Sequence, residues 1–252
     1  MKAFYNEIDA KTATWLRELV SNGHLTGGDV CINSIEDIQP GMLRTFNRCH
    51  FFAGIGGWEY ALQLAGWPME WEVWTGSCPC QPFSSAGKGK GFADERHLWP
   101  SWFWLIEQCR PNVIVGEQVS GAAGLAWFDI VSTDLEAIGY TIGSVTLPAC
   151  SVGAPHIRQR LFWVAYSHGN GWQKGCEASA TLGQRGAAFA GGWSGYRWIS
   201  FPDGKSRPIE SSIEPLAHGI SAGLVRLRGY GNAIVPQVAA EFIRSFMEYV
   251  DV

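Results

Sequence analysis

The sequence predicts an α/β fold in which helices cover both faces of a mostly parallel sheet. Three observations carry this. Strand-like and helix-like segments alternate through the first 165 residues, and strands separated by helices need crossover connections that leave them parallel. Of 252 residues, 46% are hydrophobic and 17% charged, which supplies a full-sized core. A glycine-rich turn, Gly54-Ile55-Gly56-Gly57, joins an apolar strand to a helix, the pattern of a nucleotide loop in such sheets.

In chain order, residues 2–9 read as a strand. Residues 10–21 follow as a helix with Ala13, Leu16, Leu19 and Val20 on one face. A short strand over 29–32 and an apolar strand over 49–52 precede the glycine turn. Then come a helix over 58–65, a strand over 71–75, a helix over 98–109, a strand over 112–115, a helix over 127–138 and a strand over 161–165. The cluster Trp99, Trp102, Phe103, Trp104 and Leu105 lies at helical spacing beside the sheet and reads as core rather than as a stacking platform. From Ser167 to Tyr196 glycines are dense and aliphatic periodicity is lost, which predicts loop. Residues 198–209 regain strand character around Pro202-Asp203-Gly204. A closing helix over 237–250 carries Val238, Phe242, Phe246 and Val250 on one face.

The chain shows no apolar run of about 18 residues and no charged-then-apolar leader, so neither a membrane span nor secretion is expected. Seven cysteines, an odd number, fit reduced thiols in a cytoplasm better than a bridged framework. The net charge of −4 argues at first against a polyanionic partner. It is unevenly spread: residues 1–150 hold 9 basic and 16 acidic side chains, whereas residues 151–252 hold 10 and 7. A polyanion-binding surface therefore belongs mainly to the C-terminal two-fifths, where Arg185, Arg197, Lys205, Arg207, Arg226 and Arg228 lie.

The chemistry concentrates at two places. Glycines at 54, 56 and 57 let backbone N–H groups approach a ligand at the start of a helix. Just past the next strand stands Ser77-Cys78-Pro79-Cys80-Gln81-Pro82-Phe83-Ser84, where open α/β sheets place their ligands. A Cys-x-Cys with no second Cys or His pair nearby does not complete a tetrahedral metal site. A thiol flanked by prolines at a strand's carboxyl end suits a nucleophile. The following Ser85-Ala86-Gly87-Lys88-Gly89-Lys90-Gly91-Phe92 suits a cover over a polyanion.

These residues resemble the cytosine-C5 DNA methyltransferases. Phe52-Ala53-Gly54-Ile55-Gly56-Gly57 is similar to that family's cofactor loop, and Pro79-Cys80-Gln81-Pro82-Phe83-Ser84 to its nucleophile motif. Gly87 to Arg96 is similar to its catalytic loop. Gly116-Glu117-Gln118-Val119 resembles its Glu-Asn-Val motif, with Gln118 for Asn. Gly153-Ala154-Pro155-His156-Ile157-Arg158-Gln159-Arg160 resembles Gln-x-Arg-x-Arg, with His156 for Gln. Gly231-Asn232-Ala233-Ile234-Val235-Pro236 resembles the closing motif. The family's two remaining cofactor motifs are missing from their usual place after the glycine loop. Asn6-Glu7-Ile8-Asp9 and Gly28-Asp29-Val30 stand at the N-terminus instead. This implies a permutation in which the segment supplying two sheet strands precedes the first strand in sequence yet keeps its place in space.

The resemblance implies a Rossmann-like S-adenosylmethionine methyltransferase fold with a small, irregular target-recognition region. The catalytic domain would comprise 1–166 and 225–252, and 167–224 the reduced recognition region. It implies methyl transfer to carbon 5 of cytosine in double-stranded DNA through a Cys80–C6 adduct on a flipped-out base. Glu117 would act at N3, and Arg158 and Arg160 would hold the base or the Glu117 carboxylate, with the division between them open. Cofactor contacts would come from Phe52, Ala53, Gly54, Ile55, Gly56, Gly57, Glu7, Ile8, Asp29, Pro79, Asn232 and Ala233. Gln81, Ser84, Lys88, Lys90 and Arg96 would face DNA. No metal is implied, and a monomeric, cytoplasmic enzyme of prokaryotic or phage origin, of the restriction-modification kind or solitary, is expected. Three alternatives stay open: a tRNA cytosine-C5 methyltransferase with the same motifs, a catalytically inactive DNA-binding relative, and an unrelated dinucleotide-binding oxidoreductase.

Overall fold

The computed structural model describes residues 2–79, 98–167, 196–200, 206–210 and 233–250. Strands β1 (Ala3–Asn6), β2 (Gly28–Cys31), β3 (Arg48–Phe51), β4 (Val73–Gly76), β5 (Val113–Val119), β6 (Tyr140–Pro148) and β7 (Gln159–Ser167) form one sheet, in the order β2-β1-β3-β4-β5-β7-β6. The first five are mutually parallel, and β7 runs antiparallel to both β5 and β6. The mostly parallel α/β architecture expected from the sequence is thus the one observed. Two further strands, β8 (Tyr196–Ser200) and β9 (Ser206–Glu210), pair antiparallel as a separate hairpin, matching the strand character expected over 198–209.

Helices α1 (Ala10–Ser21), α2 (Pro40–Leu43), α3 (Gly57–Ala65), α4 (Trp99–Cys109), α5 (Ala122–Ala137) and α6 (Pro236–Tyr249) complete the fold. Alternating side chains of the strands divide the core into two layers. Phe4, Phe51, Trp74 and Ile114 point to the layer under α4 and α5. Val73, Val113 and Val115 pack under α3 and α6, and Ala3 and Tyr5 pack under α1. α1 begins where expected because Asp9 caps it, its carboxylate accepting from Thr12 N at 2.8 Å. The helix buries Ala13 and Leu16, while Leu19 and Val20 pack at the cluster's margin.

Four details differ from the sequence reading. β5 continues through Gly116–Val119, so Glu117 sits on a strand and not in the loop after one. β6 was not expected. It is the sheet's edge, and its residues 143–146 are exposed, which removes the apolar periodicity that marks a buried strand. α5 starts five residues earlier than expected, at Ala122, in a stretch of small residues without a hydrophobic stripe. Within the aromatic cluster Trp99, Trp102 and Leu105 are buried as expected, but Trp104 is 41% exposed because it lies on the outer face of α4. The loop expected from 167 to 196 lies almost wholly outside the described residues.

Candidate active site

The carboxyl ends of the parallel strands bring the sequence-selected residues to one edge of the sheet, the edge where open α/β folds bind ligands. β1 runs into Glu7, β3 into the turn 52–57, β4 into Ser77-Cys78-Pro79, and β5 holds Glu117 and Gln118. β7 is antiparallel, so it delivers its N-terminal residues, Arg158 to Arg160, to that same edge.

The glycine turn is built by backbone conformations that ordinary residues resist. Gly54 and Gly56 have φ of +55° and +80°. Phe52 also stands in the left-handed region, at φ +51°, held there by packing on Trp102 with ring centroids 5.9 Å apart. Ala53 is buried and donates its N–H to Asn6 O at 2.9 Å, which laces the turn to β1. Ile55 and Gly57 are half-buried. Glu7 closes the arrangement: its Oε2 accepts from Gly54 N at 2.8 Å and its Oε1 from Asp9 N at 2.9 Å. Ile8 beside it is 67% exposed. Asp29 stands apart, exposed on edge strand β2 opposite Phe4 and two residues short of that strand's carboxyl end.

Glu117 is buried, with its carboxylate Oε1 2.8 Å from Arg160 Nε. Burial pushes its carboxyl above the ordinary range, against the pull of Arg160, Arg158 and a hydrogen bond from Ser77. The two arginines divide: Arg160 holds Glu117, whereas Arg158 Nη2 donates to Ala233 O at 2.9 Å. Arg158 has φ +26°, so its backbone turns sharply just before β7. That contact, with Ile234 packed in the same cluster as Trp58 and Phe162, joins the segment before α6 to the glycine turn. Gln118 Nε2 donates to Cys78 O at 3.1 Å and its Oε1 accepts from Val119 N. It thereby ties β5 to the chain leading into Cys80. Pro79 is half-buried on that chain. Cys80, Gln81, Ser84, Lys88, Lys90, Arg96 and Asn232 lie outside the described residues.

Two participants were not singled out from the sequence. Ser77 Oγ accepts from Trp58 Nε1 at 3.1 Å, and only its membership of the motif before Cys80 pointed to it. Buried Arg48, His50, Glu59 and Thr75, with half-buried Thr26, form a hydrogen-bonded set. Its signal was the alternation of Arg48 and His50 with Cys49 and Phe51 in an otherwise apolar strand. Among the described residues, no group of three His, Cys, Asp or Glu side chains could hold a metal ion. Nor is any helix there long and apolar enough to cross a membrane.

Residues 67–187 match the family model for C-5 cytosine-specific DNA methylases. This stretch of the chain is similar to that family. The matched stretch holds the β4 loop, Glu117 and Arg160, which the fold has drawn together. A type II methyltransferase, M.AgeI of Thalassovita gelatinovora, is 34% identical over 99 residues, 38% of this chain and 23% of that protein. The type II methyltransferase M.AluI of Cellulosimicrobium cellulans is 33% identical over 122 residues, 42% of this chain and 23% of that protein. The chain thus spans about a quarter of the length of these curated relatives. A crystal structure of a Spodoptera frugiperda DNMT2 mutant superposes with a TM-score of 0.44 at 15% identity, covering 71% of this chain and 54% of that one.

Proposed function

We propose that the protein transfers a methyl group from S-adenosylmethionine to carbon 5 of cytosine in double-stranded DNA. The observation that carries this is the buried Glu117 carboxyl, gripped by Arg160 beside the β4 loop that leads to Cys80. Carbon 5 of cytosine is not nucleophilic until the ring is activated. The Cys80 thiolate adds to C6, and Glu117, its carboxyl raised by burial, shares a proton with N3 and stabilises the electron-rich ring. Carbon 5 takes the methyl, a base removes the C5 proton, and the thiolate leaves. A base within a duplex cannot present C6 to a thiol, so the target is flipped out. Lys88, Lys90 and Arg96, with Gln81 and Ser84, contact the DNA around it, and 167–224 serves as a reduced recognition region beside a catalytic domain of 1–166 and 225–252.

The residues present fit the cofactor. An added Cβ at Gly54 meets nothing within 4 Å, so the turn opens onto free space. An acid at the end of the neighbouring strand, Glu7, reaches the same turn, where ribose hydroxyls are bound in such sheets. Ile8 offers an exposed apolar face for the adenine. Phe52, Ala53, Ile55, Gly56, Gly57, Pro79, Asn232 and Ala233 complete the pocket, and Asp29 takes the adenine amino group. When bound, the cofactor supplies an electrophilic methyl on sulfur. The position of Glu7 supports the permuted reading, because β1 precedes β3 in the chain yet pairs directly with it, with β2 on the outer side of β1. Nucleoside mass spectrometry after incubation with S-adenosylmethionine tests the proposal. 5-Methylcytosine in duplex DNA is expected, and methylcytosine confined to tRNA would overturn the choice of substrate.

A further inference from the structure

Phe51, Gly76, Gly116 and Trp163 stand opposite one another on β3, β4, β5 and β7, forming one row across the sheet. Paired positions point to the same face, so the two glycines leave a trough under α4, two strand spacings or ~10 Å wide. Two indoles fill it. A Cβ at Gly76 would lie 2.6 Å from Trp102 Cη2, and one at Gly116 would lie 2.1 Å from Trp163 Cε2, so each ring is seated on bare backbone. The two rings pack with centroids 5.9 Å apart, and both side chains are fully buried. Among the described residues neither indole N–H has a hydrogen-bond partner. A buried donor without a partner is a cost, so these rings contribute shape and contact, not polarity. Trp102 also reaches the glycine turn, standing edge-on to Phe52 at 5.9 Å and 81°. Phe52 has φ +51°, a conformation that persists in a residue with a side chain only where its surroundings enforce it.

We infer that Trp102 is a positioning residue for cofactor binding. Seated on Gly76, it holds Phe52 in the left-handed conformation on which the shape of the turn depends, and Trp163, seated on Gly116, backs it. This rests on the methyltransferase reading above and adds to it a residue of α4 that lies outside every motif used there. Gly76 ends β4 and Gly116 precedes Glu117, so the same two rings register the turn against both strands. Without the Trp102 indole the turn relaxes toward ordinary φ, and the fraction of chains ready to bind falls.

The test pairs a conformational readout with a binding one, in the full chain and well below its melting temperature. Positive φ brings a residue's own amide and α protons close, so by NMR Phe52 should show a strong intraresidue HN–Hα NOE that weakens in Trp102→Leu. The calorimetric Kd for S-adenosylmethionine should rise about five- to thirtyfold in that variant, the left-handed penalty read through the competent fraction. KM for the cofactor should rise by more than kcat falls. Trp102→Phe keeps a ring and gives up no hydrogen bond, so it should show the same changes in smaller measure, and it decides the matter where Trp102→Leu does not fold. Glycine adopts positive φ unaided, so in a Phe52→Gly chain Trp102→Leu should weaken binding no further. An unchanged NOE and Kd in folded Trp102 variants that show only a lower Tm overturns the inference. So does an equal loss from Trp102→Leu in the wild-type and Phe52→Gly backgrounds. Failure of the wild-type chain to bind S-adenosylmethionine would overturn the functional reading, while the NOE still decides what Trp102 does to Phe52.

Discussion

Gly54 and Gly56 stand two residues apart and share a left-handed backbone, yet they answer to different demands. A Cβ at Gly56 would lie 2.3 Å from Leu25 Cδ1, inside the cluster under α1, whereas a Cβ at Gly54 meets open space. Gly56→Ala should therefore destabilise the fold by about 1–3 kcal/mol, combining left-handed strain with overpacking, as read in denaturant melts. Gly54→Ala should lose about 1–2 kcal/mol from strain alone but suffer a larger loss of cofactor affinity by calorimetry. Equal stability losses with intact binding in Gly54→Ala would contradict the assignment of this turn. Glu117 shows the opposite conflict, a buried acid held at a cost to the fold. Its carboxyl is raised in the folded state, so its contribution to stability is full below its unfolded value near 4.5 and is lost as pH rises through the higher folded value. Glu117→Gln should match the wild type in Tm near pH 4.5 and exceed it increasingly toward neutrality. A variant that melts below the wild type at pH 7.5 would show that Arg160 outweighs burial.

At the scale of elements, the N-terminal pair β1 and β2 is joined to the rest by polar groups as well as by packing. Glu59 of α3 accepts from Arg48 Nη1 at 2.7 Å and from Thr26 Oγ1 at 2.5 Å, and its Oε2 lies 2.9 Å from His50 Nε2. Burial pushes this carboxyl up, but His50, Arg48 and Thr26 together hold it below the ordinary range. Stability from it is present above the unfolded value and lost on acidification. Removing one partner of a buried ion pair strands the other, so Glu59→Gln should destabilise by about 3–5 kcal/mol at neutral pH, measured by urea unfolding. A loss below 1 kcal/mol would mean that Arg48 finds another partner. The periodicities of α1, α3, α4 and α6 made those helices legible, and each starts within one residue of its expected position. β6 was not legible because an exposed edge strand lacks the alternation that burial imposes. In the site, the glycine turn and the Glu117 segment could be read from local chemistry, since both depend on residue types at fixed spacing. The division between Arg158 and Arg160 could not, because it depends on where Ala233 is brought from 75 positions along the chain. Nor could the Trp58–Ser77 contact, which joins α3 to the end of β4.

For the molecule as a whole, chain order and spatial order part company at the sheet's first three strands, which lie as β2-β1-β3. Pairing and burial decide a strand's place, and Glu7 reaches Gly54 across 47 positions of sequence because β1 pairs directly with β3. The charge follows the same division: the acidic first 150 residues hold most of the sheet, and the basic excess lies beyond residue 150. A net charge of −4 is therefore a poor guide to partners here. The central claim is that Cys80 attacks cytosine C6 under the control of Glu117. Incubation with S-adenosylmethionine and duplex DNA carrying 5-fluorocytosine tests it most directly, because fluorine blocks the final proton loss and traps the adduct. A protein–DNA adduct that survives denaturing electrophoresis and disappears in Cys80→Ala is the predicted result. An adduct that persists in Cys80→Ala, or wild-type methylation of ordinary cytosine with no adduct on the fluorinated base, would contradict it.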